Sequence, residues 1–385
     1  MSYNNISNLG KYFRLSKSPP IFIAGQNEIL IDKKNNKYLD FACGSGTTVA
    51  GHNNKYINEN LKKVFNKGFF HSGPHFLTNY HMEYIKKLKN FLNNDFPLFN
   101  FATNGSEATE TALKLSFHHS NKNKIIYFDG SYHGRTGYSL SSSGMKGINK
   151  YFFKNKNFIC CKFNNIEDFK NKFYKYKDDL AAVIIEPIQG TSGFIYSKKE
   201  FLKEIRKITF KNSKLLIFDE VWTGFGKTGH NFAYNYYKII PDILILGKSL
   251  GNGFPLGVVA FSNKINHDFP GAQSSTFQGN IISINSSLIL MKYLKKINYL
   301  AKIKKIEKTM SNEINKLKKF KFIREIRGMG FMWGIDVNNN YFGKKDYTNT
   351  IRSKLLKNNL ITWESGLDSN VICLVPPITV SISSI

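Results

Sequence analysis

Cysteine is scarce in this chain. Cys43, Cys160, Cys161 and Cys373 are the whole set, and they form no CxxC pair and no metal-ligand spacing. A disulfide framework and a cysteine metal site are therefore excluded, and reduced thiols in the cytoplasm are expected. Long apolar runs are also lacking. No stretch reaches the roughly 18 residues that a membrane-spanning helix needs. The opening residues "MSYNNISNLGKYFRLSK" have no apolar core of the kind that marks a secretory signal. Acidic residues are few: 27 Asp and Glu stand against 55 Lys and Arg, a net charge of +28. Such an excess alone points to nucleic acid. Its distribution argues otherwise, because lysine and asparagine recur in diluted runs such as "NNKYINENLKK" (53–63), "NKNK" (121–124) and "KNKN" (154–157). These read as solvated surface under a compositional bias toward Lys, Asn and Ile, and no nucleic-acid partner is expected.

What remains is ample for a core: 385 residues, 42% of them hydrophobic. That length predicts one large domain and a smaller one. Residues 20–41 read as short strands around an Asn35-Asn36 turn. Six later runs are apolar without polar alternation: 98–102, 124–128, 181–186, 214–219, 243–246 and 256–261. Strands of that texture have both faces buried, as in a mostly parallel sheet flanked by helices. The segment 302–322 predicts a long amphipathic helix, with Ile303, Ile306, Met310, Ile314 and Leu317 on one face. Residues 323–337 read as strand, glycine turn, strand.

Ligands of open α/β sheets bind beyond the carboxyl ends of the strands. Just past these strands stand Asn104-Gly105-Ser106, residues 129–133, residues 186–189, Asp219-Glu220 and Lys248. In "ATNGSEATETALKL" (102–115) a strand gives way to glycine, serine and a helix capped by Asn104 with Glu107, whose first N–H groups suit a phosphate. Asp219 closes an apolar strand, where a carboxylate needs a cation or a donor. Tyr132 is placed to stack on a flat ring, and its neighbour His133 earns no role by sequence alone. Lys248 follows a strand in "DILILGKSLGNGFPLG" (242–257). A phosphate cradle, an aromatic stacker, an acid for a ring nitrogen and a lysine suit one cofactor, pyridoxal 5′-phosphate. The lysine would form a Schiff base with the aldehyde, and Asp219 would keep the ring nitrogen charged.

"TNGSEATETALKL", "YHGRTG", "IIEPIQG", "LLIFDEVWTGFGKTG", "PDILILGKSLGNGFPLG" and "STFQGN" together resemble the class III (subgroup II) aminotransferases, the acetylornithine, 4-aminobutyrate and ω-amino acid aminotransferase group. The resemblance runs from about residue 20 to residue 380. It implies the fold-type I architecture: a large domain (56–280) with a mostly parallel seven-stranded sheet, and a smaller α+β domain built from residues 1–55 and 281–385. It implies that Lys248 and Asp219 are catalytic, and that Gly105, Ser106, Tyr132, Glu186, Gln189, Val221 and Thr276 bind the cofactor beside them. Thr276 would reach the phosphate of a neighbouring subunit, which implies a homodimer with shared sites. The implied reaction moves an amino group from a primary amine or ω-amino acid to a 2-oxo acid in two ping-pong halves.

Two positions depart from the family pattern. Members that use glutamate and 2-oxoglutarate read "EPIQGEGG", and this chain has Thr191 at the acidic position. Those members also carry an arginine where this chain has Cys373 in "VICLVPPI". Neither residue can replace a bidentate arginine–carboxylate contact. Their joint absence suggests another acceptor, such as pyruvate, or another anchor, with Arg135 and Lys227 as candidate cations that the sequence does not place. The chain also lacks the last helix usual in similar chains, which leaves the cofactor residues untouched. Two alternatives stay open: an aminomutase, decarboxylase or epimerase on the same scaffold, and a basic binding protein without catalysis.

Overall fold

All six apolar runs become strands of one seven-stranded sheet in the computed structural model, which describes residues 19–385 except 146, 149, 151, 153, 154 and 342–346. The stretch read for a secretory signal thus lies outside the described residues. The order across the sheet is Leu98–Ala102, Gly257–Phe261, Ile243–Leu246, Leu215–Asp219, Leu180–Ile185, Lys124–Phe128 and Phe158–Cys161. Gly257–Phe261 runs antiparallel to both neighbours, and the other pairings are parallel. The strand Phe158–Cys161 was not among the six runs. It is short, it sits on the sheet edge, and it follows a Lys/Asn-rich stretch.

The lack of polar alternation has a direct cause. In Leu215–Asp219, Leu215 and Ile217 pack with Ala108, Ala112 and Leu113 of the helix Gly105–Ser120. Leu216 and Phe218 point the other way, to Phe201, Leu202 and Ile205 of the helix Lys199–Lys211. Successive side chains point to opposite faces, so a strand covered on both must be apolar throughout. Each large side chain buried this way contributes on the order of 1.5–3 kcal/mol. The strand Leu98–Ala102 departs from the expectation, since four of its five residues are only half-buried at the sheet edge.

The chain ends come together beside this sheet. Phe22–Gln26, Ile29–Asp32 and Lys37–Asp40 form antiparallel hairpins, and the late strand Leu360–Ile361 pairs in parallel with Lys37–Asp40. A further sheet holds Ile323–Met329, Met332–Val337, Val371–Leu374 and Trp363–Ser365 in that order. The amphipathic helix runs over Tyr299–Asn315 and ends earlier than the periodicity suggested. Ile303, Ile306, Met310 and Ile314 are its buried stripe, and Leu317 falls in a following 3-10 turn. Ile281–Lys296 packs on the helices Lys55–Phe65 and Asn79–Phe91. Among the described residues no helix is long and apolar enough to cross a membrane.

Candidate active site

Because the central strands are parallel, their carboxyl ends share one edge, and the expected chemical residues collect there. Lys248 opens a short 3-10 turn (Lys248–Gly251) directly after Ile243–Leu246. Its φ is +46°, in the left-handed region that a side chain with a Cβ adopts at a cost of about 1–3 kcal/mol. Strain of this kind survives where surrounding structure fixes it, and here it aims the side chain into the edge. Burial pushes the Lys248 amine down to about 8, against the opposing pull of Asp219 and Glu186. Such an amine is about one-tenth free base at pH 7, far more than an ordinary lysine, and the free base is the form a nucleophilic lysine requires.

Asp219 ends its strand buried, with Oδ1 accepting from Val221 N at 3.0 Å and Oδ2 lying 2.7 Å from His133 Nδ1. His133 is itself buried, and its Nε2 has no hydrogen-bond partner. Sequence reasoning gave His133 no role, and no local signal marks it, because its partner stands 86 residues away. Glu186 joins two loops: Oε1 accepts from Tyr132 N at 2.8 Å and Oε2 from Gly190 N at 2.9 Å. Burial first, and the Asp219 charge further, push its carboxyl up to about 7, against the pull of His133 and the two N–H donors.

The expected phosphate cradle is the amino end of Gly105–Ser120. Asn104 Oδ1 accepts from Glu107 N at 3.0 Å, while the Glu107 carboxylate turns to Thr103 N at 2.8 Å, so the cap is built with Thr103 in place of a closed Asn104–Glu107 box. Val221 is wedged between this helix start and the lysine turn. A Cβ on Gly105 would come within 3.1 Å of the Val221 side chain, and one on Gly247 within 3.2 Å. At both glycines a Cβ would press tightly on Val221, which would have to give by a few tenths of an ångström. Ser106 Oγ faces the Gly134-Arg135 backbone, and Arg135 is exposed with its guanidinium 5.8 Å from the Tyr132 ring centroid. The structure thus gathers Lys248, Asp219, Glu186, Val221, Gly105, Ser106 and Tyr132. Gln189 is turned to Asp129, donating to its carbonyl at 2.7 Å. Thr276 lies on an exposed stretch, where its carbonyl meets His71 Nε2 at 2.6 Å.

Thr191 and Cys373, 182 positions apart, are joined through one serine. Ser365 Oγ donates to the Thr191 carbonyl at 2.6 Å and also hydrogen-bonds the Cys373 thiol. Burial pushes that thiol up to about 12, so it is neutral and inert at physiological pH. Thr191 Oγ1 is buried without a partner. Trp363 pairs with Cys373 across the sheet, and its ring stands 6.1 Å from that of Trp222. The place expected to lack a charged clamp is occupied by indoles and a thiol. Arg327 is the guanidinium in the same cross-strand row, paired with Gly334, which pairs with Cys373. Its Nε is committed to the Gly193 carbonyl and its Nη1 to Glu325.

Trp222 is the largest feature that sequence reasoning passed over. Lys248 Nζ is 4.6 Å from its ring centroid, and Lys227 Nζ is 4.8 Å from the same centroid.

The residues fit pyridoxal phosphate on the structure's own terms. A strained lysine, a buried carboxylate with a donor, and free N–H groups at a helix start converge on one edge. Comparisons with known proteins agree. Residues 15–385 match the family model described as aminotransferase class-III. Acetylornithine aminotransferase of Clostridium acetobutylicum is 34% identical over 375 residues, covering 94% of this chain and 93% of that protein. Glutamate-1-semialdehyde 2,1-aminomutase of Wigglesworthia glossinidia brevipalpis is 32% identical over 319 residues, 79% of this chain and 72% of the other. The solved ornithine aminotransferase of Toxoplasma gondii superposes with a TM-score of 0.90 at 22% identity, over 98% of this chain and 90% of that one. That last likeness concerns the fold.

Proposed function

Since the chain belongs to the class-III aminotransferases, which depend on pyridoxal phosphate, we propose that Lys248 is its cofactor-bonding and proton-moving residue and Asp219 its ring-nitrogen acid. The single observation that carries this is the convergence of a strained, half-buried lysine with Asp219 and Glu186 at one sheet edge. When bound, the cofactor supplies an aldehyde for the lysine and a cationic ring that takes up the electron pair released at the substrate carbon. The N–H groups of Gly105 and Ser106 hold the phosphate, favoured by the helix dipole. Val221 and Tyr132 pack on the ring. His133 orients Asp219, and Glu186 fixes Tyr132 by gripping its backbone. The Lys248 amine would be the base that takes the proton from the substrate carbon.

The donor is a primary amine or ω-amino acid, and the acceptor is a 2-oxo acid. Arg135, exposed at the mouth beside Tyr132, is the cation available for a substrate carboxylate. The missing glutamate–arginine pair at Thr191 and Cys373 supports an acceptor other than 2-oxoglutarate, with pyruvate a candidate. The mutase reading has less support, because the acetylornithine enzyme is matched at higher identity and over more of both chains.

The assembly is a homodimer. Phe65, Phe69, Phe70, Phe76, Leu77 and Phe277 are exposed, and His71 ties their two segments together at Thr276. An apolar patch of this kind marks an association surface, and it carries Thr276 toward a partner's site. Residues 1–55 and 281–385 make the smaller domain, joined by the pairing of Leu360–Ile361 with Lys37–Asp40. Four free cysteines suit a cytoplasmic location. The test is a half-reaction screen: pyridoxal-form enzyme against a panel of amines, then the pyridoxamine form against pyruvate and 2-oxoglutarate. One-for-one consumption of oxo acid with amine supports transfer, and product formed beyond one equivalent per active site without an oxo acid overturns it.

A further inference from the structure

Trp222 is buried against two amines. Lys248 Nζ lies 4.6 Å from its ring centroid, and Lys227 Nζ lies 4.8 Å from the same point. The ring is clamped at both of its halves. A Cβ on Gly190 would come within 2.4 Å of Cδ1, and one on Gly46 within 2.6 Å of Cζ3. Phe194 and Trp363 meet the indole edge to face, with ring centroids 5.9 and 6.1 Å away. The indole therefore cannot swing away from Lys248.

The two amines are not equivalent. Lys227 Nζ donates to the Gly46 carbonyl, and burial pushes its amine down to about 7. Burial lowers Lys248 only to about 8, since Asp219 and Glu186 favour its ammonium. Between those two values Lys248 is the ammonium and Lys227 the neutral amine, so the ring faces one cation. Among the described residues no hydrogen bond or ion pair holds Lys248 Nζ. A lysine amine left unheld is spread over many rotamers. A ring face attracts an ammonium, takes no proton from it, and grips it less than a buried carboxylate does.

We propose that Trp222 is a positioning residue for Lys248: its indole face holds the lysine's ammonium beside Asp219 and Glu186 whenever that nitrogen is not bonded to the cofactor. The inference rests on Lys248 being the cofactor-bonding residue. Other charged groups surround the pair. His133 pairs with Asp219 and acts on Glu186, while Cys43 and Asp40 lie on the Lys227 side. All of them stay in place when only the ring's electrons are altered.

The experiment therefore changes the ring and keeps its shape. Apoenzyme is made with monofluoro- and with trifluorotryptophan in place of tryptophan, which drains the negative ring face in steps. The titration midpoint of Lys248 is read by trace acetylation with acetic anhydride across pH, followed by peptide mass mapping. It is expected to fall stepwise with fluorination, by on the order of one pH unit for the trifluoro ring. In Trp222→Phe, whose remaining tryptophans still carry fluorine, the midpoint is expected not to move with fluorination. A midpoint that ignores fluorination in the parent chain, or follows it equally in Trp222→Phe, overturns the inference. Activity gives a second reading. Trp222→Leu is expected to lower kcat about tenfold with KM for the donor unchanged, and Trp222→Phe to restore most of it. Wild-type kcat in the leucine variant contradicts the proposal. Borohydride trapping and peptide mapping of the reconstituted samples separate the two claims. Cofactor trapped on Lys248 with an unmoved midpoint refutes this inference alone, and cofactor trapped elsewhere refutes the reading beneath it as well.

Discussion

His133 Nδ1 lies 2.7 Å from Asp219 Oδ2, with both side chains sealed from solvent. The imidazole holds a carboxylate that would otherwise be a costly buried charge, and it leaves Oδ1 to Val221 N. Asp219→Asn is expected to retain cofactor yet lose on the order of 100-fold or more in kcat, because a fixed charge at the reacting ring is removed. His133→Asn is expected to lower kcat by a smaller factor. A double-mutant cycle on kcat/KM checks the relationship, and additive effects would show that the two residues act independently.

Cofactor loading reports on Lys248 through pH. Attack on the aldehyde needs the free amine, whose proton is lost around pH 8. The rate of pyridoxal phosphate incorporation into apoenzyme is expected to climb up to about tenfold per pH unit below 8 and to level off above it. A rate still climbing beyond pH 10 would indicate an ordinary surface lysine.

The stability of the protein should carry the mark of Lys227. Its amine is lowered to about 7 in the folded state, chiefly by burial, from the usual 10.5. Between those values the unfolded chain binds one more proton than the folded one, so stability rises with pH across that window. Denaturant unfolding from pH 6 to 10 is expected to show wild type gaining on Lys227→Gln by up to about 1.4 kcal/mol per pH unit above 7. A constant gap across the range would show that the folded lysine keeps its proton throughout, as a solvated one does.

Gly190 is fixed by Trp222, since its Cβ would sit 2.4 Å from the indole Cδ1. Gly190→Ala is expected to cost about 1–3 kcal/mol through overpacking, read as a fall in Tm. It should also move the intrinsic tryptophan emission, because the clamped ring must shift.

Much of the fold was legible because its cause is local. Strands buried on both faces must be apolar, and 180–185, 215–219 and 243–246 announce themselves. Lys248 and Asp219 were legible for the same reason, each being the charged residue that ends such a run. Phe158–Cys161 was not, because an edge strand of four residues after a Lys/Asn-rich stretch has little pattern to show. His133 and the Trp222 clamp were not legible either. Both depend on partners far along the chain, His133 on Asp219 and Trp222 on Gly46 and Gly190, which only the folded topology brings together. Thr191 and Cys373 were singled out together as the loss of one pair, and the serine that joins them lay unremarked between.

The exposed aromatic patch leads to a prediction about assembly. Phe277→Asp with Phe70→Asp is expected to convert a dimer to monomers in sedimentation velocity, since charges in an apolar contact are strongly unfavourable. Thr276→Ala is expected to leave the assembly intact and weaken cofactor retention. Unchanged sedimentation in the aspartate variant would move the interface to another face.

The most direct measurement is borohydride reduction of the holoenzyme followed by peptide mass mapping. With Lys227 and Lys248 beside one indole, the method must choose between two amines 21 residues apart. The account predicts a single pyridoxyl adduct on the peptide containing Lys248, abolished in Lys248→Ala. An adduct on Lys227, or one that survives Lys248→Ala, would contradict it.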